Sequence, residues 1–184
     1  MLGSPFRALR SRNYRLFFIG QGISLIGTWM TRLATSWLVY RVTNSAFLLG
    51  VVSFAAQIPA LVIPPLAGVW LDRWDRHKVL VATQVLAMLQ SLAMAALTLS
   101  GRINIPWVIG LALFQGIITA VEIPTRQSFV ITMIEDRRDL STAIALNSSS
   151  FNAARLVGPA IAGGLVAAVG EGYCFLIDGL SYIA

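Results

Sequence analysis

Charged residues, histidine and cysteine are all scarce in this chain of 184 residues. Only 12% of the residues are charged and 57% are hydrophobic, whereas a soluble globular domain carries about 25% charged residues. This composition excludes an ordinary soluble domain and predicts an all-α polytopic membrane protein. His77 and Cys174 are the single residues of their kinds, so we expect neither an internal disulfide nor a metal site.

Sequence motifs of enzymes are missing as well. The chain contains neither G-x-S-x-G nor H-E-x-x-H, the patterns of common serine and zinc hydrolases, so we expect no enzyme and no cofactor. Residues 1–13 are basic and polar and lack the apolar core of a cleavable signal peptide. The net charge of +6 does not indicate nucleic acid, because the cations lie in short loops between apolar runs.

Apolar runs divide the chain into a short basic segment and six predicted spans. Residues 1–15 predict an interfacial helix on an anionic leaflet, with a disordered basic leader as the alternative. Residues 16–184 form the transmembrane domain, with spans at 16–40, 47–71, 79–99, 106 to between 124 and 133, 140–169, and from 173. About a dozen residues follow Gly172, whereas a span needs about 20. The sixth span is therefore expected to be truncated, in a fragment or a natural short form.

The stretch 68–78, GVWLDRWDRHK, is the most charged turn between two predicted spans. Its functional candidates are Gly68, Asp72, Arg73, Arg76 and Lys78. The spacing G-x3-D-R-x2-R resembles the loop between helices 2 and 3 of major facilitator superfamily transporters. It is most similar to the branch that includes enterobactin and drug exporters, although Trp70 and Asp75 depart from the family pattern.

The resemblance implies the N-terminal six-helix half of such a transporter, built from two inverted three-helix repeats. The C-terminal six-helix domain would be absent, and substrate would lie between the two halves near the bilayer midplane. Spans 2 and 5 carry the heaviest load of proline and glycine, which such repeats would produce. Chance is the alternative, because both residues are common in membrane helices.

Two further segments resemble parts of the same family. The run 122–127, EIPTRQ, is similar to a helix-4 segment of the exporter branch, which implies that Glu122 and Arg126 form an inner gate with Arg76. A boundary acid that reaches the interface is the alternative for Glu122. The helix-5 candidates resemble the family's antiporter motif, with simple helix packing as the alternative: Arg155, Gly158, Pro159, Gly163 and Gly164.

Charges at membrane depth are expensive and mark functional candidates. Arg32, Glu122, Arg155 and Asp178 lie inside the predicted spans, and each costs about 2.5–3.5 kcal/mol at mid-span. Arg32 and Asp178 lie at similar depths, so they predict either a structural ion pair or a wet cavity shared with Gln115. Coupling to protons would have to use Glu122 or Asp178.

These observations leave two functions open. One is secondary active export of a small amphiphile by alternating access, which implies a small-molecule substrate, a lipid bilayer, and the missing half or a second copy as partners. The other is a non-transporting membrane module, such as a sensor or an assembly partner. Neither predicts a nucleic-acid partner.

Counting cations predicts the orientation in the cell (inner) membrane. The turns on one side would hold only Arg41 and Arg102, and the N-terminal segment and all other loop cations would lie on the opposite, cytoplasmic side. We therefore expect a cysteine introduced at Asn104, in a Cys174→Ser background, to react with an impermeant thiol reagent added from outside. Reaction from the cytoplasmic side alone would reverse the predicted orientation.

Overall fold

A computed structural model describes residues 12–71, 74–133 and 137–183, and within these the side chains of residues 14–65, 74–130 and 142–183. The described residues form six α-helices and confirm the predicted all-α architecture. The helices are α1 (Arg12–Thr43), α2 (Ala46–Leu71), α3 (Arg76–Leu99), α4 (Ile105–Met133), α5 (Arg137–Val169) and α6 (Glu171–Ser181). The basic N-terminal segment falls mostly outside the described residues, and so do Asp72 and Arg73.

The helices begin and end close to the predicted spans, and the differences have local causes. Asp75 caps α3, since its Oδ1 accepts hydrogen bonds from the backbone N–H groups of His77 and Lys78 at 3.0 and 3.4 Å. This cap starts α3 three residues before the predicted span. Arg76 and Lys78 therefore belong to the first turn of a helix.

The turns that follow α1, α3 and α5 each contain one residue with positive φ. These residues are Asn44 at 48°, Gly101 at 68° and Gly170 at 93°. Glycine adopts this conformation without strain, and asparagine tolerates it better than most other residues. The three turns lie on the side predicted to face outward.

Four described helices contain a segment that is long and apolar enough to cross a membrane: Ala46–Pro65, Arg76–Leu99, Ile105–Val130 and Thr142–Val169. Helix α1 has 32 residues, enough to cross, but it is more polar than these segments. Its polar residues have a structural reason, because Thr28, Thr31, Arg32, Thr35 and Ser36 face an internal cavity. The described part of α6 is 11 residues long.

The packing of the helices has an approximate twofold pattern. Extensive contacts join α2 with α4, α1 with α5, α3 with α4, α1 with α6, and α3 with α6. Exchanging α1 with α4, α2 with α5 and α3 with α6 maps this set of contacts onto itself. Two related three-helix repeats would give such a pattern.

The main apolar core draws a side chain from every helix. Met30, Val52, Met94, Val108 and Phe175 are buried in it, and Ala162 supplies the contribution of α5. A smaller cluster of Tyr14, Val130 and Ala143 lies at the end of the bundle where α1 begins. There the Tyr14 hydroxyl donates to the carbonyl oxygen of Ala143 at 3.2 Å.

Two of the closest helix contacts depend on glycine. A Cβ at Gly158 of α5 would lie 2.6 Å from the Trp29 Cβ and 2.8 Å from the Ile26 carbonyl oxygen of α1. A Cβ at Gly116 of α4 would lie 2.4 Å from the Ala56 carbonyl oxygen of α2. Because the opposing atoms belong to backbone or its first side-chain carbon, they cannot move aside cheaply. The pairs α1–α5 and α2–α4, which the approximate symmetry relates, are therefore both held at glycine-limited distances.

The helix-5 glycines differ in a way that can be tested. Gly158→Ala should destabilise the bundle by about 1–3 kcal/mol, the usual cost of overpacking. Gly163→Ala is the matched control, because nothing lies within 4 Å of the Cβ position there. That change should be neutral or slightly stabilising, since alanine favours a helix over glycine by about 1 kcal/mol.

Buried Cys174 provides the measurement, since a thiol-reactive dye labels it only when the bundle opens. The midpoint temperature of labelling in detergent should fall for Gly158→Ala and not for Gly163→Ala. Equal midpoints for the two variants would contradict the close α1–α5 contact.

Candidate functional site

A cavity of about 350 Å³ lies between α1, α2 and α4, with α3 and α6 at its wall. Polar residues from five helices face it, although the chain as a whole is apolar. From α1 come the five polar residues named above, from α2 Ser53 and Gln57, from α3 Gln90, from α4 Gln115 and Thr119, and from α6 Asp178. A membrane protein concentrates polar groups in this way where water or a solute is accommodated.

Asp178 lies at the junction of three helices, and its side chain is bonded to hydroxyl groups. Its Oδ2 accepts a hydrogen bond from Thr31 Oγ1 of α1 at 2.9 Å and lies 2.8 Å from Ser91 Oγ of α3. Ser91 Oγ is also 2.9 Å from the Phe175 carbonyl oxygen, and a hydroxyl group has one proton to donate. The Oδ1 atom is buried and has no hydrogen-bond partner among the described residues.

Gly27 of α1 makes room for this carboxylate. A Cβ at Gly27 would lie 2.4 Å from Asp178 Oδ1 and 3.2 Å from the Asp178 Cα. The absence of a side chain at Gly27 thus allows α6 to approach α1 closely enough for the Thr31–Asp178 bond.

The predicted ion pair between Arg32 and Asp178 is not formed, although both residues line the cavity. Among the described side chains, the ion pairs are Arg41 with Glu171 and Glu122 with Arg126. Arg32 instead lies over the indole ring of Trp29, with its Cζ 4.7 Å from the ring centroid. Their similar depth in the predicted spans therefore correctly indicated that both residues reach one cavity. It did not predict their partners, because hydroxyl groups bond the carboxylate.

Glu122 borders a second, smaller cavity, which shares Arg32 and Gln115 with the first. Its Oε1 is 3.5 Å from Arg126 Nη1 of the same helix and 3.5 Å from Gln84 Nε2 of α3. Both side chains of the ion pair are largely buried, with 13% and 9% exposed. Glu122 thus connects α4 to α3 through Gln84, and no ion pair with Arg76 occurs among the described side chains.

With this geometry in place, comparison with known proteins identifies the family. The sequence profile of the transmembrane secretion effectors, a family of the major facilitator superfamily, matches residues 3–184. The chain belongs to this family. The chain is also 30% identical over 169 residues to the Staphyloferrin A transporter of Staphylococcus aureus. The aligned residues make up 91% of this chain and 42% of the relative. No solved structure gives a significant match.

Membership of the family, together with the four apolar segments, makes this chain part of an integral membrane protein. The chain spans less than half the length of the Staphylococcus aureus relative. The resemblance to the superfamily that the loop at 68–78 indicated is confirmed.

The remaining candidates from the sequence are distributed over three regions. Gly68 lies in the last turns of α2, Arg76 and Lys78 in the first turn of α3, and Asp72 and Arg73 outside the described residues. Pro159, Gly163 and Gly164 follow Gly158 within α5. Arg155 lies one turn before Gly158, with its Cζ 5.5 Å from the centroid of the Trp29 ring.

Sequence analysis missed the ion pair between Arg41 and Glu171. The Arg41 Nη2 donates to Glu171 Oε1, and this bond joins the end of α1 to the start of α6. The acid itself is buried, with 6% of its side chain exposed, whereas 54% of the Arg41 side chain is exposed. The signal was present, since both residues lie in turns predicted to face the same side.

The bonding of Asp178 leads to a test with two substitutions. Asp178→Asn keeps an oxygen that can accept from Thr31, and its amide replaces the unpaired Oδ1, so stability should change by less than about 1 kcal/mol. Asp178→Ala removes the acceptor, leaves Thr31 unsatisfied and opens a void, and should cost about 2–3 kcal/mol.

The midpoint temperature of Cys174 labelling again provides the readout. Asn152→Ala serves as the control, because the Asn152 amide bonds only the Ser148 carbonyl of its own helix and is exposed. An Asp178→Ala variant as stable as Asn152→Ala would show that the carboxylate does not hold the three helices together.

Proposed function

We propose that this chain is the N-terminal half of a secondary active exporter of small amphiphilic compounds. The observation that carries the proposal is the cavity between α1, α2 and α4, where polar groups from five helices meet inside an apolar bundle. The family supports export, since its description is that of secretion effectors. The name of the Staphylococcus aureus relative supports a small-molecule substrate.

In this proposal the cavity is one wall of a site that a second half completes. The second wall would come from a C-terminal six-helix domain or from another copy of the chain. Substrate would bind between the halves, which rock against each other so that the site opens to one side of the membrane at a time. The glycine-limited pairs α1–α5 and α2–α4 suit such movement, because closely packed pairs move as rigid units.

The inner gate forms part of the proposal. The loop residues Asp72 and Arg73, together with Arg76 at the start of α3, would meet the Glu122–Arg126 pair of α4 when the cytoplasmic side closes. The contact of Glu122 with Gln84 supports this assignment, because it already brings the acid against α3.

Asp178 is proposed as the residue that couples transport to protons. A protonated Oδ2 could donate to Ser91 Oγ, which would then donate its own proton to the Phe175 carbonyl oxygen. With a protonated carboxyl group, both short contacts of Ser91 Oγ are hydrogen bonds. With an ionised carboxylate, Asp178 Oδ2 and the Phe175 carbonyl oxygen compete for the single proton of the Ser91 hydroxyl group. Arg32 of α1 lines the same cavity as the carboxylate, and Tyr182 lies one turn after Asp178 at the end of α6. Protonation and deprotonation of Asp178 would thus change the bonds between α6 and α3.

A transport assay in inside-out vesicles tests the proposal. The full-length protein should accumulate a fluorescent dansyl amphiphile inside such vesicles when an acid-inside pH gradient is imposed. Asp178→Asn should abolish the dependence on the gradient and retain exchange of labelled for unlabelled compound, since the substitution keeps the helix contacts.

Arg102→Gln is the control, because it removes a charge from an exposed turn and Arg102 does not line the cavity. Absence of transport and exchange for every dansyl compound tested, with normal membrane levels, would contradict the proposal and favour a non-transporting module. Gradient-driven accumulation in Asp178→Asn equal to that of the unaltered protein would remove Asp178 from the coupling.

A further inference from the structure

Two arginine side chains from different helices lie against one tryptophan ring beside the cavity. Arg32 of α1 and Arg155 of α5 have their Cζ atoms 4.7 and 5.5 Å from the Trp29 ring centroid. Guanidinium groups are attracted to the electron-rich face of an indole ring. Two like charges that share one ring also repel each other, so the arrangement holds a local excess of positive charge. We refer to these three residues as the arginine cluster.

Neither arginine of the cluster has an acidic partner among the described side chains. Arg126 and Arg41 differ, since Arg126 pairs with Glu122 and Arg41 pairs with Glu171. Arg32 and Arg155 donate no side-chain hydrogen bond within the part of the chain that the structure describes. A cation–π contact uses the face of the guanidinium group and leaves its five N–H donors free.

The cluster is held in place by contacts that leave its donors open. The Trp29 ring meets the Phe151 ring edge to face, with centroids 5.6 Å apart and planes inclined by 75°. Phe151 lies one turn before Arg155, so one face of α5 fixes the indole and supplies an arginine. Gly158 allows α5 to approach Trp29 closely. The ring is therefore positioned before any ligand arrives, which lowers the cost of binding.

We propose that the arginine cluster binds a carboxylate group of the transported compound, so that the substrates of this transporter are anionic amphiphiles. This inference rests on the proposed function, because it takes the cavity bordered by Arg32 as the substrate site. A planar carboxylate accepts two parallel hydrogen bonds from a guanidinium group. Trp29 and Phe151 offer apolar surface to the rest of the molecule, which suits an aromatic or otherwise apolar body.

Three probes of nearly the same shape and different charge separate the carboxylate from its apolar body. They are 1-naphthoate, the neutral 1-naphthamide and the cationic 1-naphthylmethylamine. Binding is measured by calorimetry on the solubilised full-length protein, so that the result does not require transport. Naphthoate should bind about tenfold or more tightly than naphthamide, as a charge-assisted hydrogen-bonded pair provides, and the amine should bind most weakly.

Substitutions in the cluster should remove this preference and spare the body of the probe. Arg32→Gln and Arg155→Gln should each weaken naphthoate binding about tenfold and leave naphthamide binding unchanged. Arg32→Lys keeps the charge without the planar pair of donors, so it should retain only part of the preference. Arg102→Gln removes one positive charge elsewhere and should leave the binding of all three probes unchanged. Thermal midpoints show that each variant is folded.

Several outcomes would overturn the inference. Naphthoate that binds no more tightly than naphthamide, or not at all, would exclude a carboxylate site. A preference that survives both glutamine variants would place the anion elsewhere, and one that Arg102→Gln also removes would reflect net charge alone.

Lipid phosphate is another oxyanion that could occupy the cluster, and bilayer composition distinguishes the two sources. The preference for naphthoate should persist in nanodiscs of phosphatidylcholine and in nanodiscs that also contain phosphatidylglycerol. Loss of the preference in the second bilayer would identify a headgroup site and overturn the assignment to substrate. Binding that follows the expected pattern without any transport would support the carboxylate site and count against the exporter proposal, so the two can fail separately.

Discussion

The carboxylate of Asp178 is bonded to hydroxyl groups from two other helices, and the arrangement of α1, α3 and α6 depends on it. A charged group at this depth is costly, and the usual solution of an opposite charge is not used here. Thr31 and Ser91 provide the partners instead, and Gly27 provides the space. Because both partners are neutral hydroxyl groups, the helices are joined without an ion pair to Arg32, which remains available at the cavity.

Glycine also allows close helix packing in the two helix pairs beside the cavity. Gly158 lets α5 approach α1, and Gly116 lets α4 approach α2. In each pair a glycine faces a backbone carbonyl oxygen, so the spacing is set by backbone and not by side chains that could adjust. The approximate symmetry relates these pairs. The cavity therefore lies between two closely packed pairs, which carry all of its polar side chains except Gln90 of α3 and Asp178 of α6.

The fold was largely predictable from the sequence, and the contacts of the site were not. Apolar runs predicted the helices because burial in a membrane requires length and apolarity, which are local properties. The contact of Arg155 with Trp29 and the bond of Arg41 to Glu171 depend on which helices become neighbours, and residues far apart in the chain decide this. Depth placed Arg32 and Asp178 at the same cavity. Depth could not reveal that the hydroxyl groups of Thr31 in α1 and Ser91 in α3 bond the carboxylate.

The proposed proton site and the arginine cluster share one turn of α1, since Thr31 bonds Asp178 and Arg32 is the next residue. An ionised Asp178 would repel an anion in the cluster, so a proton on Asp178 raises the affinity for the anion. By linkage, the bound anion equally favours protonation. In export driven by inward proton flow, the proton and the substrate cross in opposite directions. If the proton and the anion favour each other's binding in one conformation, they would instead tend to cross together. In the proposed exporter, the contact of α1 with α6 at Gly27 would therefore have to loosen in one half of the cycle, so that the two proposed sites bind their ligands in different conformations.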